Sequence, residues 1–181
     1  MTGRLAKRYA RALLELTRPA NAAEAAGDEL TRAAATFDEP RLRAIVLSPA
    51  IALDARVKIV DEVVASLGIS AIVGNLVRLL ARHERLALVG EVARAYETMV
   101  DAVLDRGRIT IRSAAPLTPA ERTDLTDLAR RLTGRREILV STETDPELLG
   151  GVVLDTGGTV YDGSIKTQLQ RFGRELAGRG A

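Results

Sequence analysis

The chain of 181 residues contains no cysteine and no tryptophan, and its only histidine is His83. Without cysteine it can form no disulfide, thiolate zinc site, iron–sulfur cluster or cysteine nucleophile. A single histidine also removes most candidates for a metal site built on imidazole. Aromatic residues make up only 3% of the chain, which leaves little for stacking on bases or sugars. We therefore expect no metal and no cofactor.

Long apolar runs are also lacking, since no stretch approaches the roughly 20 apolar residues that span a bilayer. Residues 1–16 lack the apolar core and the small-residue cleavage site of a secretory signal. They share an arginine-rich, amphipathic character with organelle presequences, but their regular apolar spacing fits a retained helix better. We expect a protein that does not insert directly into a membrane.

A surplus of one charge sign is lacking too. The chain has 26 Lys and Arg residues against 24 Asp and Glu, and both halves are close to balanced. Nucleic-acid binding requires clustered positive charge that displaces counterions. The one mild cluster consists of Arg4, Lys7, Arg8 and Arg11, which fall on one face of a predicted helix. We expect no nucleic-acid partner, although a basic helical nucleic-acid-binding or regulatory module stays the alternative function.

Helical spacing of apolar residues dominates the chain up to about residue 106. Within residues 4–17, helix intervals separate Leu5, Tyr9, Ala12, Leu13 and Leu16. Similar patterns predict helices over residues 21–37, 40–47, 53–67, 71–82 and 86–105, with Ser70 placed to cap the fifth. Six short helices with brief connections are typical of a bundle. We therefore predict a six-helix bundle over residues 1–106.

From Gly107 onward, polar and apolar residues alternate as in half-buried strands. This alternation predicts strands over residues 108–112, 137–141, 151–155 and 159–161. Thr118 and Glu121 have the spacing of a capping box, and Ser164 is placed to cap a last helix. We predict a mainly α protein in which a small α+β domain, residues 107–181, follows the helical bundle.

The glycine pairs Gly150-Gly151 and Gly157-Gly158 are the first candidates for chemistry. A phosphate-binding Walker loop requires GxxxxGK[ST] between a strand and a helix. Here Lys166 comes three positions after Gly163, and the sequence contains no GxGxxG. We interpret these pairs as turns and a strand bulge.

Acidic residues are the second candidate, because a small enzyme could use Asp145, Asp155 or Asp162. These residues and Glu147 are spread over separate turns and strand ends, without the spacing of a calcium loop. Asp162 is explained more simply as a residue favoured at the start of a helix. His83 lies in a charged turn and is better explained as solvated or paired. We expect no catalytic residue.

The apolar stripes of the first and fifth predicted helices are the stronger signal. The stripe of the fifth is unusually broad, comprising Ile72, Val73, Leu76, Val77, Leu79 and Leu80. Such a width exceeds what one neighbouring helix normally covers. The simplest interpretation is bundle core, and the alternative is a groove that accepts an amphipathic helix of a partner. The candidate groove residues are Tyr9, Ala12, Leu13, Asn75, Leu76 and Leu79.

Several segments resemble the delta-subunit family of the F-type ATP synthases, which includes the mitochondrial oligomycin-sensitivity-conferring protein. They are AKRYARAL at residues 6–13, NLVRLL at 75–80 followed by Arg85-Leu86, SAAPL at 113–117, DPELLGGVV at 145–153 and VYDGSI at 160–165. The resemblance covers essentially the whole chain. The chain departs from the family pattern at His83-Glu84, Thr156 and Gly158, which fall in predicted turns.

This resemblance implies a non-catalytic stator subunit of a proton-translocating ATP synthase, present in one copy per complex. Such subunits link the catalytic alpha/beta head to the peripheral stalk, so that the head resists the torque of the rotor. The helical domain is expected to bind the N-terminal helix of an alpha subunit in the groove of Tyr9, Ala12, Asn75 and Leu79. The second domain is expected to bind the b subunits. The implied location is peripheral, on the cytoplasmic face of the bacterial plasma membrane.

Overall fold

The computed structural model describes residues 2–18 and 20–178, with side chains at 3–18, 21–172. The chain divides into two compact units between Leu104 and Asp105. This division lies two residues before the predicted one. The reason is that the backbone carbonyl of Asp105 already accepts hydrogen bonds from Arg136 and Glu137, at 3.1 and 3.4 Å, at the start of a strand of the second unit.

The first unit is helical. Its helices are α1 (Thr2–Leu16), α2 (Ala20–Asp38), α3 (Pro40–Val46), α4 (Leu53–Ser66), α5 (Ala71–Arg82) and α6 (Val89–Val103). A 3₁₀ turn, Leu86–Leu88, precedes α6 where the sequence predicts continuous α-helix. There the N–H of Leu88 donates to the carbonyl of Arg85, three residues back, at 2.9 Å. Such tighter turns are common at helix N-termini.

The sequence predicts that the Ser70 side chain caps α5, and this prediction is wrong. The Ser70 side chain makes no capping bond to α5. Instead its Oγ and its backbone N–H donate to Glu29 Oε2 of α2, at 2.6 and 3.0 Å. A carboxylate is a stronger acceptor than a neutral group, so the contact between α2 and the start of α5 replaces the local cap.

One apolar core joins the helices of the first unit. Its fully buried side chains include Ala6, Ala10 and Leu13 of α1, Leu30 and Phe37 of α2, Val73, Val77 and Leu80 of α5, and Val92 and Tyr96 of α6. The broad stripe of α5 is only partly covered. Leu76 is 9% exposed, whereas Leu79 and Ile72 on the same side of the helix are 42% and 41% exposed.

A buried hydroxyl lies where α1, α2 and α6 meet. Tyr96 is fully buried, and its Oη lies 2.7 Å from Oγ1 of Thr17, just past the end of α1. The same hydroxyl donates to the carbonyl of Ala23 in α2 at 3.0 Å. Burial raises the pKa of Tyr96 above its ordinary value of 10.0, so the group stays a neutral donor. Thr17 after the end of α1 and Ala23 near the start of α2 are thereby both bound to α6.

The second unit contains a four-stranded sheet in the order β2-β1-β3-β4. Its elements are β1 (Arg106–Ser113), α7 (Pro119–Thr133), β2 (Glu137–Thr144), β3 (Val152–Asp155), β4 (Val160–Asp162) and α8 (Ile165–Gly178), with a 3₁₀ turn over Pro146–Leu148. Strands β1 and β2 are parallel, and the other pairs are antiparallel. The described residues are mainly helical with this small sheet after the helices, which confirms that part of the predicted fold.

Local signals placed the helices of this unit correctly. Thr118 and Glu121 form the predicted capping box at the start of α7, and these bonds hold the pKa of Glu121 below its ordinary value. Ser164 Oγ accepts from the N–H of Thr167 at 3.3 Å, so it caps α8. Side chains from β1, β3 and α7 form the core of the unit; they are Ile109, Ile111, Leu154 and Ala129.

Gly151 is required by its surroundings. Its φ is +77°, and a Cβ at this position would lie 2.4 Å from the backbone oxygen of Gly163. Any side chain would therefore push the start of β3 away from the segment that leads into α8. The glycine at this position serves close backbone packing before β3.

We expect Tyr96→Phe to lower the free energy of unfolding by about 1–2 kcal/mol, because the carbonyl of Ala23 loses a buried donor. Urea denaturation followed by circular dichroism measures the change. The control is Tyr161→Phe, because Tyr161 is 37% exposed. Equal effects of the two substitutions would contradict a structural role of the Tyr96 hydroxyl.

A second pair of substitutions tests the partial covering of α5. Leu76→Ala should cost about 2–4 kcal/mol of stability, because it opens a cavity in the core. Leu79→Ala should cost less than about 1 kcal/mol, because much of that side chain is already in water. The same denaturation experiment compares the two variants. A larger loss of stability for Leu79→Ala than for Leu76→Ala would contradict the burial of Leu76 and the exposure of Leu79.

Candidate partner-binding groove

On α1, the predicted groove residues divide between core and surface. Tyr9 is half-buried and Ala12 is exposed, whereas Leu13 is only 2% exposed and belongs to the core. Leu16, which the site prediction omitted, is 68% exposed. At about 100° per residue, positions 9, 12 and 16 lie within about 60° of one another. They form one exposed side of α1, and Leu13 lies beneath it.

On α5 the same division occurs. Asn75 and Leu79 are exposed, and Leu76 is nearly buried. Ile72 also lies on this side of the helix and is exposed, although the site prediction omitted it. Positions 72, 75 and 79 again span about 60° around the helix.

The opposite side of α5 is occupied by α4. A Cβ at Gly74 would lie 2.9 Å from Cγ1 of Val64, so the two helices approach closely there. Arg78 Nε donates to Asp61 of α4 at 2.7 Å, and its Nη1 donates to Asn75 Oδ1 at 3.2 Å. Because α4 covers this side, the side with Ile72 and Leu79 faces away from it.

A hydrogen bond connects the groove side of α1 with the end of α5. Arg85, three residues beyond the last residue of α5, donates from Nη1 to the Tyr9 hydroxyl at 3.0 Å. Helices α1 and α5 also pack against each other directly. We give the name α1/α5 groove to six side chains of these two helices, which are exposed except for the half-buried Tyr9: Tyr9, Ala12 and Leu16 with Ile72, Asn75 and Leu79. Leu13 and Leu76 belong to the core of the unit.

The predicted acidic residues bind backbone groups of their own turns. Asp145 and Asp155 accept from the N–H groups of Glu147 and Gly157, at 3.0 and 2.8 Å. Asp162 accepts from the N–H of Ser164 at 2.9 Å, and this bond holds the pKa of its carboxyl below the ordinary value. Among the described side chains, at residues 3–18 and 21–172, no three His, Asp or Glu residues are arranged to hold a metal ion.

His83 and the one cavity described next lie outside the α1/α5 groove or at its edge. His83 is exposed at the C-terminal cap of α5. A cavity of about 450 Å³ lies between α2, α3 and α6, and the Arg43–Asp38 ion pair contributes to its wall. Among the described helices, none combines the length and the apolar character needed to cross a bilayer.

A second apolar surface lies on the other unit. Ile165, Leu169 and Phe172 follow one face of α8 and are 45%, 57% and 62% exposed. Leu149, which is 69% exposed, lies near the start of this row, because the N–H of Ile165 donates to the carbonyl of Gly150 at 3.0 Å. We call these four side chains the α8 strip. The sequence predicts the helix, but its periodicity cannot show that the strip is uncovered.

Comparisons with known proteins agree on one family. The profile of the family described as ATP synthase delta (OSCP) subunit matches residues 5–176. The delta subunit of Myxococcus xanthus ATP synthase is 36% identical over 178 residues, which are 97% of each chain. That of Sinorhizobium medicae is 34% identical over 91% of this chain and 88% of its own.

A solved structure supports the fold. A chain of the mitochondrial ATP synthase hexamer of Toxoplasma gondii superimposes with a TM-score of 0.68 at 21% identity, covering 96% of this chain and 97% of its own. The match spans both units. The chain therefore belongs to the ATP synthase delta (OSCP) subunit family, whose members are structural, non-catalytic components of the stator.

Proposed function

We propose that this chain connects the catalytic head of an F-type ATP synthase to its peripheral stalk. The first unit, as a six-helix bundle, binds the N-terminal helix of an alpha subunit in the α1/α5 groove. The second unit binds the b subunits, and one copy works in each complex on the cytoplasmic face of the membrane. The observation that carries the proposal is the exposed apolar side shared by α1 and α5 in a member of this family.

The spacing of the groove suits a helical occupant. Tyr9 and Leu16 on α1, and Ile72 and Leu79 on α5, are each seven residues apart, which corresponds to about 10.5 Å along a helix. Each helix therefore offers about two turns of apolar surface. An amphipathic helix with anchors at positions i, i+3 or i+4, and i+7 matches such a length.

Interface energetics allow a contact that resists torque. A standard interface buries about 1,600 Å² in total, and roughly 60% of this area is apolar. At about 25 cal/mol per Å² the gross gain is about 24 kcal/mol. Association costs about 4–15 kcal/mol, so tight binding is attainable without any covalent step.

The α8 strip is the surface that we assign to the stalk. Its side chains are separated by four and three residues along α8, which is the repeat expected of a helix face that packs against another helix. Exposed apolar rows of this kind mark protein contacts more often than solvent surface. The family assignment favours this two-sided stator over the nucleic-acid-binding or regulatory alternative.

We expect Ala12→Asp to weaken binding of the alpha-subunit N-terminal peptide by at least about 30-fold. The substitution places a carboxylate in a contact that excludes water. Fluorescence titration of the full chain with a synthetic peptide of about 20 residues measures the affinity. Ala25→Asp, on an exposed position of α2, is the matched control. Circular dichroism checks that both variants fold, and unchanged affinity in a folded Ala12→Asp chain would refute the groove.

The stalk contact is tested separately. Leu169→Asp should reduce co-purification with a soluble b-subunit fragment by about tenfold or more, because it removes a central apolar side chain of the α8 strip. Gln168→Asp adds the same charge on an exposed neighbouring position and should leave binding unchanged. If both variants retain the b fragment equally, the stalk binds elsewhere on the chain.

A further inference from the structure

Four exposed cations of α1 have no partner among the residues that the structure describes. Arg4, Lys7, Arg8 and Arg11 are exposed, and within the described part of the chain none of them makes an ion pair or a side-chain hydrogen bond. The only acidic residue of α1 is Glu15. The function proposed above leaves these charges unexplained, since an apolar contact does not need them.

Two of these cations border the α1/α5 groove. At about 100° per residue, Arg8 lies about 40° around α1 from Ala12, and Arg4 lies one turn before Arg8. Lys7 and Arg11 are further round, and Lys7 lines a shallow cleft against α6. Arg4 and Arg8 therefore form the N-terminal part of one edge of the groove, and Glu15, about 60° around α1 from Ala12 on the same side, lies at its C-terminal part.

The opposite edge is also basic. Arg82 is exposed at the end of α5, about 60° around the helix from Leu79. Helix α5 contains no acidic residue. On this side, Asp61 of α4 pairs with Arg78, and Glu84, just beyond the end of α5, pairs with Arg56.

We infer that the α1/α5 groove selects an acidic amphipathic helix, one whose apolar stripe is flanked by Asp or Glu. The inference rests on the proposed function and adds the charge of the partner. Arg4 and Arg8 contact carboxylates on one flank of the bound helix, and Arg82 contacts those on the other. Opposite charges at the edges of an interface speed association and reject partners of the wrong sign.

The test reverses charge on both edges at once. The chain with Arg8→Glu and Arg82→Glu is titrated with a labelled peptide of about 20 residues from the N-terminus of the cognate alpha subunit. At about 50 mM salt we expect an affinity loss of tenfold or more, and at about 0.5 M salt, where charges are screened within about 4 Å, a loss below threefold. The control chain carries Arg32→Glu and Lys58→Glu, which reverse two exposed cations on α2 and α4.

Three results would overturn the inference. If the double variant and the control bind the peptide with equal affinity, the charges at the edges do not contribute to binding. The groove itself is tested separately by Ala12→Asp. The second result concerns vesicles containing phosphatidylglycerol. If they retain the wild type but not the double variant, and the charge reversal leaves the affinity for the peptide unchanged, the edges bind a lipid surface. Failure of the wild type to bind the peptide at all would overturn the proposed function, and this inference with it.

Discussion

One buried hydroxyl connects α1, α2 and α6 where they meet in the first unit. Tyr96 of α6 holds the end of α1 through Thr17 and the start of α2 through the carbonyl of Ala23. This fixes which side of α1 faces α6, and the buried residues Ala6 and Ala10 complete that contact. The side that carries Ala12 and Leu16 is then left beside α5. The groove is thus a consequence of how the core is packed, since it uses whatever apolar surface the core leaves uncovered.

Each unit leaves an apolar surface in water, and among the described side chains neither surface lies beside a metal-binding cluster. The α1/α5 groove lies on the helical unit, and the α8 strip lies on the unit with the sheet. Carboxylates that could have served chemistry, such as Asp145 and Asp162, are used to fix turns and a helix start. This is the distribution expected of a protein that joins other proteins, because a joint needs two contact surfaces and no reacting group.

Local patterns predicted most elements, and tertiary contacts explain the differences. The capping box at Thr118 forms between residues only three positions apart, so the sequence alone could predict it. The partner of Ser70 could not be predicted, because Glu29 is 41 positions away. Contacts between distant residues also decide which apolar side chains are buried. Periodicity therefore identified the apolar side of α1 and of α5, but not which residues on it are covered by other helices. From the apolar spacing of α1, the site prediction chose Leu13, which is core, and left out Leu16, which is exposed. Neighbouring helices decide that difference.

The charge of α1 has a consequence for the helix itself. Its first turn contains Arg4 and no acidic residue, although the partial positive charge at a helix N-terminus favours anions and opposes cations by about 0.3–1 kcal/mol. The macrodipole therefore works against this turn, and the apolar contacts of the helix must hold it in place. A bound anion would relieve the same repulsion, so occupancy of the groove and helical order at the beginning of α1 are thermodynamically linked, each favouring the other.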